Sequence, residues 1–264
     1  MDGLVLSQDE FLVLLDAVKS PDLVGINQAE LIPQTQELHR ESILRGIKSL
    51  QSRSLLRFED EVAHLEPELL RLAQVVSRPL GVVVAIKDVP EVGSQKFVYY
   101  QHGPHVFEHT MPERQQYRFA AIPNLLALVQ RINFLLGVDG PNDSSTDPFS
   151  LDQSEFFAIR ELANNGNVAE VLYRLEKLCP DSQTASSLCD SMTSPAASST
   201  VALLKIGDTP EVHDGLNVAT LQGRVSAWLF TTDQSGKVPR IVVEQTSSSR
   251  FMSTLKTNMQ NFFS

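Results

Sequence analysis

Glycine and cysteine are sparse in this chain of 264 residues, with 13 and 2 occurrences. So little glycine excludes the loops that cradle phosphate on backbone amides, and neither G-x-G-x-x-G nor G-x-x-x-x-G-K-[ST] occurs. A Gly-x-Ser-x-Gly nucleophile elbow and a His-Glu-x-x-His zinc helix are missing as well. Cys179 and Cys189 form no Cys-x-x-Cys pair, and no second pair exists to complete a zinc site. They bridge only if their Cβ atoms meet; the expectation is two small apolar side chains in a reducing cytosol. Cations are in deficit, 22 Lys and Arg against 32 Asp and Glu, for a formal net charge of −10. An acidic surface repels a phosphate backbone, although a small basic face can sit within an acidic total. Long hydrophobic runs are absent too: none approaches the roughly 18 residues of a membrane helix. The opening Met1-Asp2-Gly3-Leu4-Val5-Leu6 lacks the basic start and apolar core of a secretory signal. The expectation is a cytoplasmic chain with no membrane partner and little call for nucleic acid.

What is present is ordinary globular material. Hydrophobic residues make up 42% and charged residues 20%, near the average for folded domains, and the length suffices for a large core without staples.

Leu4-Val5-Leu6 reads as a short strand. Ser7 with Glu10 makes the capping-box pattern ahead of a helix from Asp9 to Val18 that Ser20-Pro21 ends. A second helix spans Thr35 to Ser52, with Leu38, Ile43, Ile47 and Leu50 as its apolar stripe. Residues 54–58 are strand-like, and Glu66-Pro67 opens a helix that Arg78-Pro79 closes. The texture then changes to β-branched and aromatic runs at Gly81–Ile86, Phe97–Tyr100, His105–His109 and Tyr117–Ala121, joined by short turns and therefore antiparallel. One of those turns is placed at Asp88–Gln95. A helix from Pro123 ends at Gly137.

After a linker at 138–151 the order repeats. Asp152 is placed as the cap of a helix holding Phe156 and Phe157. Helices at Val168–Leu178 and Thr184–Met192 follow, then a serine-rich loop from Ser194 to Ser199. Strands at Thr200–Ile206, Val218–Leu221, Val225–Phe230 and Arg240–Val243 precede a last helix from about Ser248 to Phe262. Ile86-Lys87-Asp88-Val89-Pro90-Glu91-Val92 matches Ile206-Gly207-Asp208-Thr209-Pro210-Glu211-Val212, each at the end of the first sheet strand of its half. Ser77-Arg78-Pro79 and Thr193-Ser194-Pro195 each close a helix before that strand, and Glu10-Phe11-Leu12 parallels Glu155-Phe156-Phe157. Two halves, 1–137 and 152–264, are expected to form an α+β fold. Its centre is an antiparallel sheet from two pseudo-symmetric halves, flanked by two helical bundles.

Candidate chemistry is thin. His102, His105, Glu108 and His109 are zinc or iron ligand types, but a turn at Gly103-Pro104 interrupts them, and partly exposed sheet residues are the favoured reading; no metal and no cofactor is expected. Asp88 with Glu91, and Asp208 with Glu211, are carboxylate pairs of the sort used in acid–base catalysis, yet each brackets a turn proline, and no catalytic residue is assigned. Residues 35–58, with Arg40, Arg45, Lys48, Arg53 and Arg57, resemble part of a winged helix, which makes a DNA-binding regulator the alternative function.

The layout as a whole resembles the EspG family of ESX (type VII) secretion-associated chaperones. The resemblance is carried by the strand Leu4-Val5-Leu6 running into a helix, the leucine-rich Leu50-Gln51-Ser52-Arg53-Ser54-Leu55-Leu56 and the approach Ser77-Arg78-Pro79-Leu80-Gly81-Val82-Val83. The strand start Gly223-Arg224-Val225 and the final amphipathic helix complete it. It implies a cytosolic, non-enzymatic chaperone or adaptor for a small helical type VII-like secretion substrate, acting as monomer or homodimer. The hydrophobic tip of that client would be kept from water. The loop Val89–Gln95 is the expected contact, through Val89 and Val92.

Overall fold

The structure, a computed structural model, describes residues 3–18, 24, 26, 31–60, 62–140, 147–207, 211–234 and 238–263. Ser20-Pro21, residues 141–146 of the expected linker and Asp208-Thr209-Pro210 lie outside the described residues.

The described residues hold eight helices and twelve strands. Ten strands form one antiparallel sheet in the order β1-β7-β6-β5-β4-β9-β10-β11-β12-β8, and β2 pairs with β3 separately. The chain is therefore α+β with a large central antiparallel sheet. By residue range the strands are β1 (Leu4–Ser7), β2 (Leu56–Glu59), β3 (Val62–Leu65), β4 (Gly81–Val89), β5 (Gly93–His102), β6 (His105–Thr110) and β7 (Gln116–Ile122). The rest are β8 (Phe149–Asp152), β9 (Ala197–Ile206), β10 (Val212–Gln222), β11 (Ala227–Asp233) and β12 (Arg240–Gln245). The helices are α1 (Gln8–Val18), α2 (Gln36–Ser52), α3 (Pro67–Ser77), α4 (Leu125–Leu136), α5 (Gln153–Asn164), α6 (Val168–Glu176), α7 (Ser182–Thr193) and α8 (Ser248–Phe263). One compact unit holds Met1–Val84, Phe97–Leu125 and Leu204–Asp214; the other holds Ala85–Lys96, Leu126–Leu203 and Gly215–Ser264.

In the first unit the capping box forms as a reciprocal pair. The Ser7 amide donates to Glu10 Oε2 at 2.8 Å and the Glu10 amide to Ser7 Oγ at 3.2 Å, satisfying two orphan donors at the start of α1. β1 lies antiparallel to β7, with Leu4 opposite Phe119 and Leu6 opposite Tyr117. That register turns Leu6 inward and places Phe11 of α1 on Tyr117 and Phe119, with ring centroids 4.8 and 5.2 Å apart.

α2 packs on α1 through only part of the stripe expected of it: Leu50 is buried and Ile43 and Ile47 are half-buried. Its buried positions are Ser42, Gly46 and Leu50, while Leu38 stands exposed. Small residues let two helix backbones approach closely, and a Cβ at Gly46 would run into the Asp9 carbonyl and the Val13 side chain. A search for bulky apolar periodicity passes over such a face.

The second unit is built around Trp228 and Phe230 of β11, Phe156 of α5 and Leu188 of α7, with the Phe156 and Phe230 rings 5.2 Å apart. β11 lies between β10 and β12, and β12 pairs with β8.

Several expected boundaries move. Phe149–Asp152 is a strand, although its first residues fall within the composition-defined linker. β9 begins at Ala197, so the second half of the serine-rich stretch, with Ser198 and Ser199, is strand and not loop. Val62–Leu65 adds β3, a four-residue partner of β2 too short to show a strand pattern. Asp152 sits at the N-cap of α5 without a side-chain cap bond, and pairs instead with Arg240 at 3.5 Å.

The route from helix to sheet is built alike in the two units. Arg78, after α3, has φ −140° and ψ 60°, and Ser194, after α7, has φ −141° and ψ 61°. Two residues on, Leu80 donates to the Gln101 carbonyl at 2.8 Å, and Ala196 to the Gln222 carbonyl at 2.7 Å. Proline at 79 and at 195 disfavours helical backbone at the residue before it, so each helix stops there.

Candidate binding surfaces

The turn expected at Asp88–Gln95 is much tighter than its composition suggests. β4 continues to Val89 and β5 begins at Gly93, leaving only residues 90–92 outside the strands. Strand pairing overrides the polar, turn-like composition of Gly93-Ser94-Gln95. The Val92 amide donates to the Val89 carbonyl at 3.2 Å across Pro90 and Glu91. Proline supplies the φ of the first turn position, but Glu91 holds φ +68°, where glycine is usual. Val89 is half-buried, whereas Val92 is 70% exposed at the tip. Of the two valines singled out in the sequence, Val92 is thus accessible and Val89 is half-buried in the strand.

Each unit carries a groove between the helix that precedes its meander and a turn of the sheet. In the first unit α3 and the β5–β6 turn enclose about 680 Å³, with Leu65, Leu70, Arg71, Arg78, His102 and His105 among the lining residues. The His102 Nδ1 donates to the Arg78 carbonyl at 2.6 Å, which ties the turn to the end of α3. In the second unit α7 and the β10–β11 turn enclose about 550 Å³, lined by Ser187, Asp190, Ser191, Arg224, Val225 and Ser226 among others. The Ser187, Ser191 and Ser226 hydroxyls lie within 3.1 Å of one another in two links. Neither groove was visible from the sequence, because each needs α3 or α7 folded back over a turn some thirty residues away. The one available signal was the repeated helix-closing proline.

The histidine cluster is split by its own hairpin. His102 and His105 face each other across the Gly103-Pro104 turn and are exposed. His109 is buried and stacked between Tyr117 and Phe119, at 5.7 and 4.9 Å between centroids. Among the described residues no three His, Cys, Asp or Glu side chains are grouped as metal ligands. Cys179 and Cys189 are free thiols; burial, with Asp181 nearby, pushes Cys179 up to about 12, so it is a poor nucleophile.

The basic residues of 35–58 are partly committed within the fold. Arg45 binds Asp9 at 2.8 Å, and Arg53 binds Glu10 at 2.8 Å. Glu10 is almost fully buried and also accepts from Ser49 at 2.8 Å. Burial raises its carboxyl pKa, but the Ser7 amide, the Arg53 guanidinium and the Ser49 hydroxyl together outweigh that and hold it below the usual carboxylate value. Two of the five cations thus fasten α2 to α1. No helix among the described residues is long and apolar enough to cross a membrane.

The fold and these surfaces define an α+β protein with two open grooves and, among the described residues, no group of metal ligands. No protein-family model matches the sequence, and no curated protein is similar to it at a significant level. The fold does match a solved structure, that of the Mycobacterium tuberculosis type VII secretion system chaperone EspG5 in complex with the PE25-PPE41 dimer. The match has a TM-score of 0.70 at 11% identity and covers 97% of this chain and 95% of that one. At that identity the likeness is one of fold.

Proposed function

We propose that this chain is a chaperone or adaptor of the EspG type, which holds a small helical secretion substrate in the cytosol and shields its hydrophobic tip. The observation that carries the reading is the end-to-end fold match, since it covers nearly the whole of both chains, and the solved neighbour is a chaperone holding a protein dimer. Val92, with Val89 behind it, is proposed to contact the client. An exposed valine at a rigid hairpin tip buries apolar area at little entropic cost. The halves 1–137 and 152–264 are read as two copies of one ancestral unit joined through 138–151. They act together as a monomer or homodimer without metal, cofactor or nucleic acid.

The test is affinity purification of the tagged protein from its native cells, with nuclease present, followed by mass spectrometry. A stoichiometric small helical protein is expected, with recovery reduced by Val92→Glu. Recovery of no protein partner, with DNA enriched when nuclease is left out, would overturn the reading in favour of DNA binding through 35–58.

A further inference from the structure

We infer that the groove between α3 and the β5–β6 turn is a docking site for an acidic amphipathic helical segment of the client, leucine side inward and carboxylates toward Arg71 and Arg78. This rests on the chaperone reading. The first observation is charge. On a chain of net charge −10, this groove gathers Arg71, Arg78, His102 and His105, and no acid is among its lining residues. Among the described residues neither guanidinium has an ion-pair partner, unlike Arg45, Arg53, Arg174 and Arg250. The second observation is the apolar floor: Leu65 and Leu70 lie beside the cations, and Leu70 is 42% exposed. A cationic rim around an apolar floor matches carboxylates flanking a leucine stripe. A phosphate backbone would bring nothing to fill that floor, and the acidic remainder of the surface would repel it. The third observation is the equivalent groove in the second unit, where Arg224 is offset by Asp190 and serine hydroxyls replace the leucines. The same architecture thus occurs with and without the charge, and only the first version selects an anion.

The binding assay uses purified full-length protein and two synthetic helical peptides. One has leucine at i, i+3, i+4 and i+7 with glutamate on the opposite face; its counterpart carries lysine for glutamate. Fluorescence anisotropy should show saturable binding of the acidic peptide only, weakened at least about tenfold by Arg71→Glu with Arg78→Glu and unchanged by Arg224→Glu. The double variant Arg71→Gln with Arg78→Gln, and circular dichroism of all variants, separate loss of charge from loss of fold. Equal binding by wild type and both double variants, or no saturable binding of the acidic peptide, would overturn the inference. So would groove-dependent binding of a DNA duplex in place of the peptide. The chaperone reading is decided separately by the native purification, so either can fail alone.

Discussion

α1 of the first unit and α5 of the second each begin with a capping residue followed three positions later by glutamate, and use that glutamate differently. In α1 the N-cap Ser7 and Glu10 form a closed box, and Glu10 then reaches Ser49 and Arg53 of α2 in a nearly dry setting. In α5 the N-cap is Asp152, which makes no cap bond, and Glu155, at the position of Glu10, meets Arg174 of α6 at 3.3 Å in the open, both side chains more than a third exposed. The lesson is that a Glu at the third helical position, with an arginine on the following helix, does not fix the strength of the contact. Depth does. A buried carboxylate with several donors is costly to disturb, whereas an exposed pair in water contributes little.

The largest expected effect tests the contact that makes the first site deep. Gly46→Ala should destabilise by about 3 kcal/mol, because the added methyl meets the Asp9 carbonyl and overpacked helix contacts cannot relax cheaply. Gly166→Ala, between α5 and α6, has open space around the new methyl and is strained only by its φ of +75°, so about 1 kcal/mol is expected. Urea unfolding followed by circular dichroism measures both, and similar losses would mean the helix pairs are not packed differently.

Next comes the pair itself. Glu10→Ala should cost between about 2 and 3 kcal/mol, leaving the Ser7 amide and the Arg53 guanidinium without their acceptor, whereas Glu155→Ala should cost no more than about 0.5 kcal/mol. The contrast also has a pH signature. Because the folded-state pKa of Glu10 is depressed, its contribution is complete above the unfolded value of 4.5 and is lost as the pH falls through the folded one. Wild type should therefore lose stability as the pH falls below 4.5, and Glu10→Gln should flatten that slope where Glu155→Gln does not. Parallel slopes for the two glutamines would abolish the distinction between the sites.

Much of this was legible in the sequence. The capping box, the change from helical to β-branched texture at Gly81 and the antiparallel order each rest on local patterns that the fold keeps. What was hidden depended on atoms brought together from afar. Two of the three buried positions of α2 are Ser42 and Gly46, which no apolar periodicity marks. β3 is only four residues long and exists because β2 offers it a partner. The hairpin tip shrank to three residues because pairing carried both strands past the turn-like Ser94 and Gln95. The two grooves belong to no motif, since each takes its lining from a helix and a turn far apart in the chain.

The smallest expected effect separates the two copies of the repeated heptapeptide. In the first copy the turn closes between Val92 and Val89, which forces Glu91 to φ +68°. In the second the closing bond runs the other way across five residues, with the Gly207 amide donating to the Glu211 carbonyl at 3.4 Å. A left-handed non-glycine residue costs about 1–2 kcal/mol, and glycine's greater freedom in the unfolded chain takes back about 0.5–1. Glu91→Gly should then raise stability by up to about 1 kcal/mol, while Glu211→Gly gains nothing and loses a few tenths. Thermal melts of the two variants read the difference. A gain at both positions would show that the second copy stores the same strain, making the two turns equivalent; a loss at both would mean that Glu91 makes a contact worth more than its backbone costs.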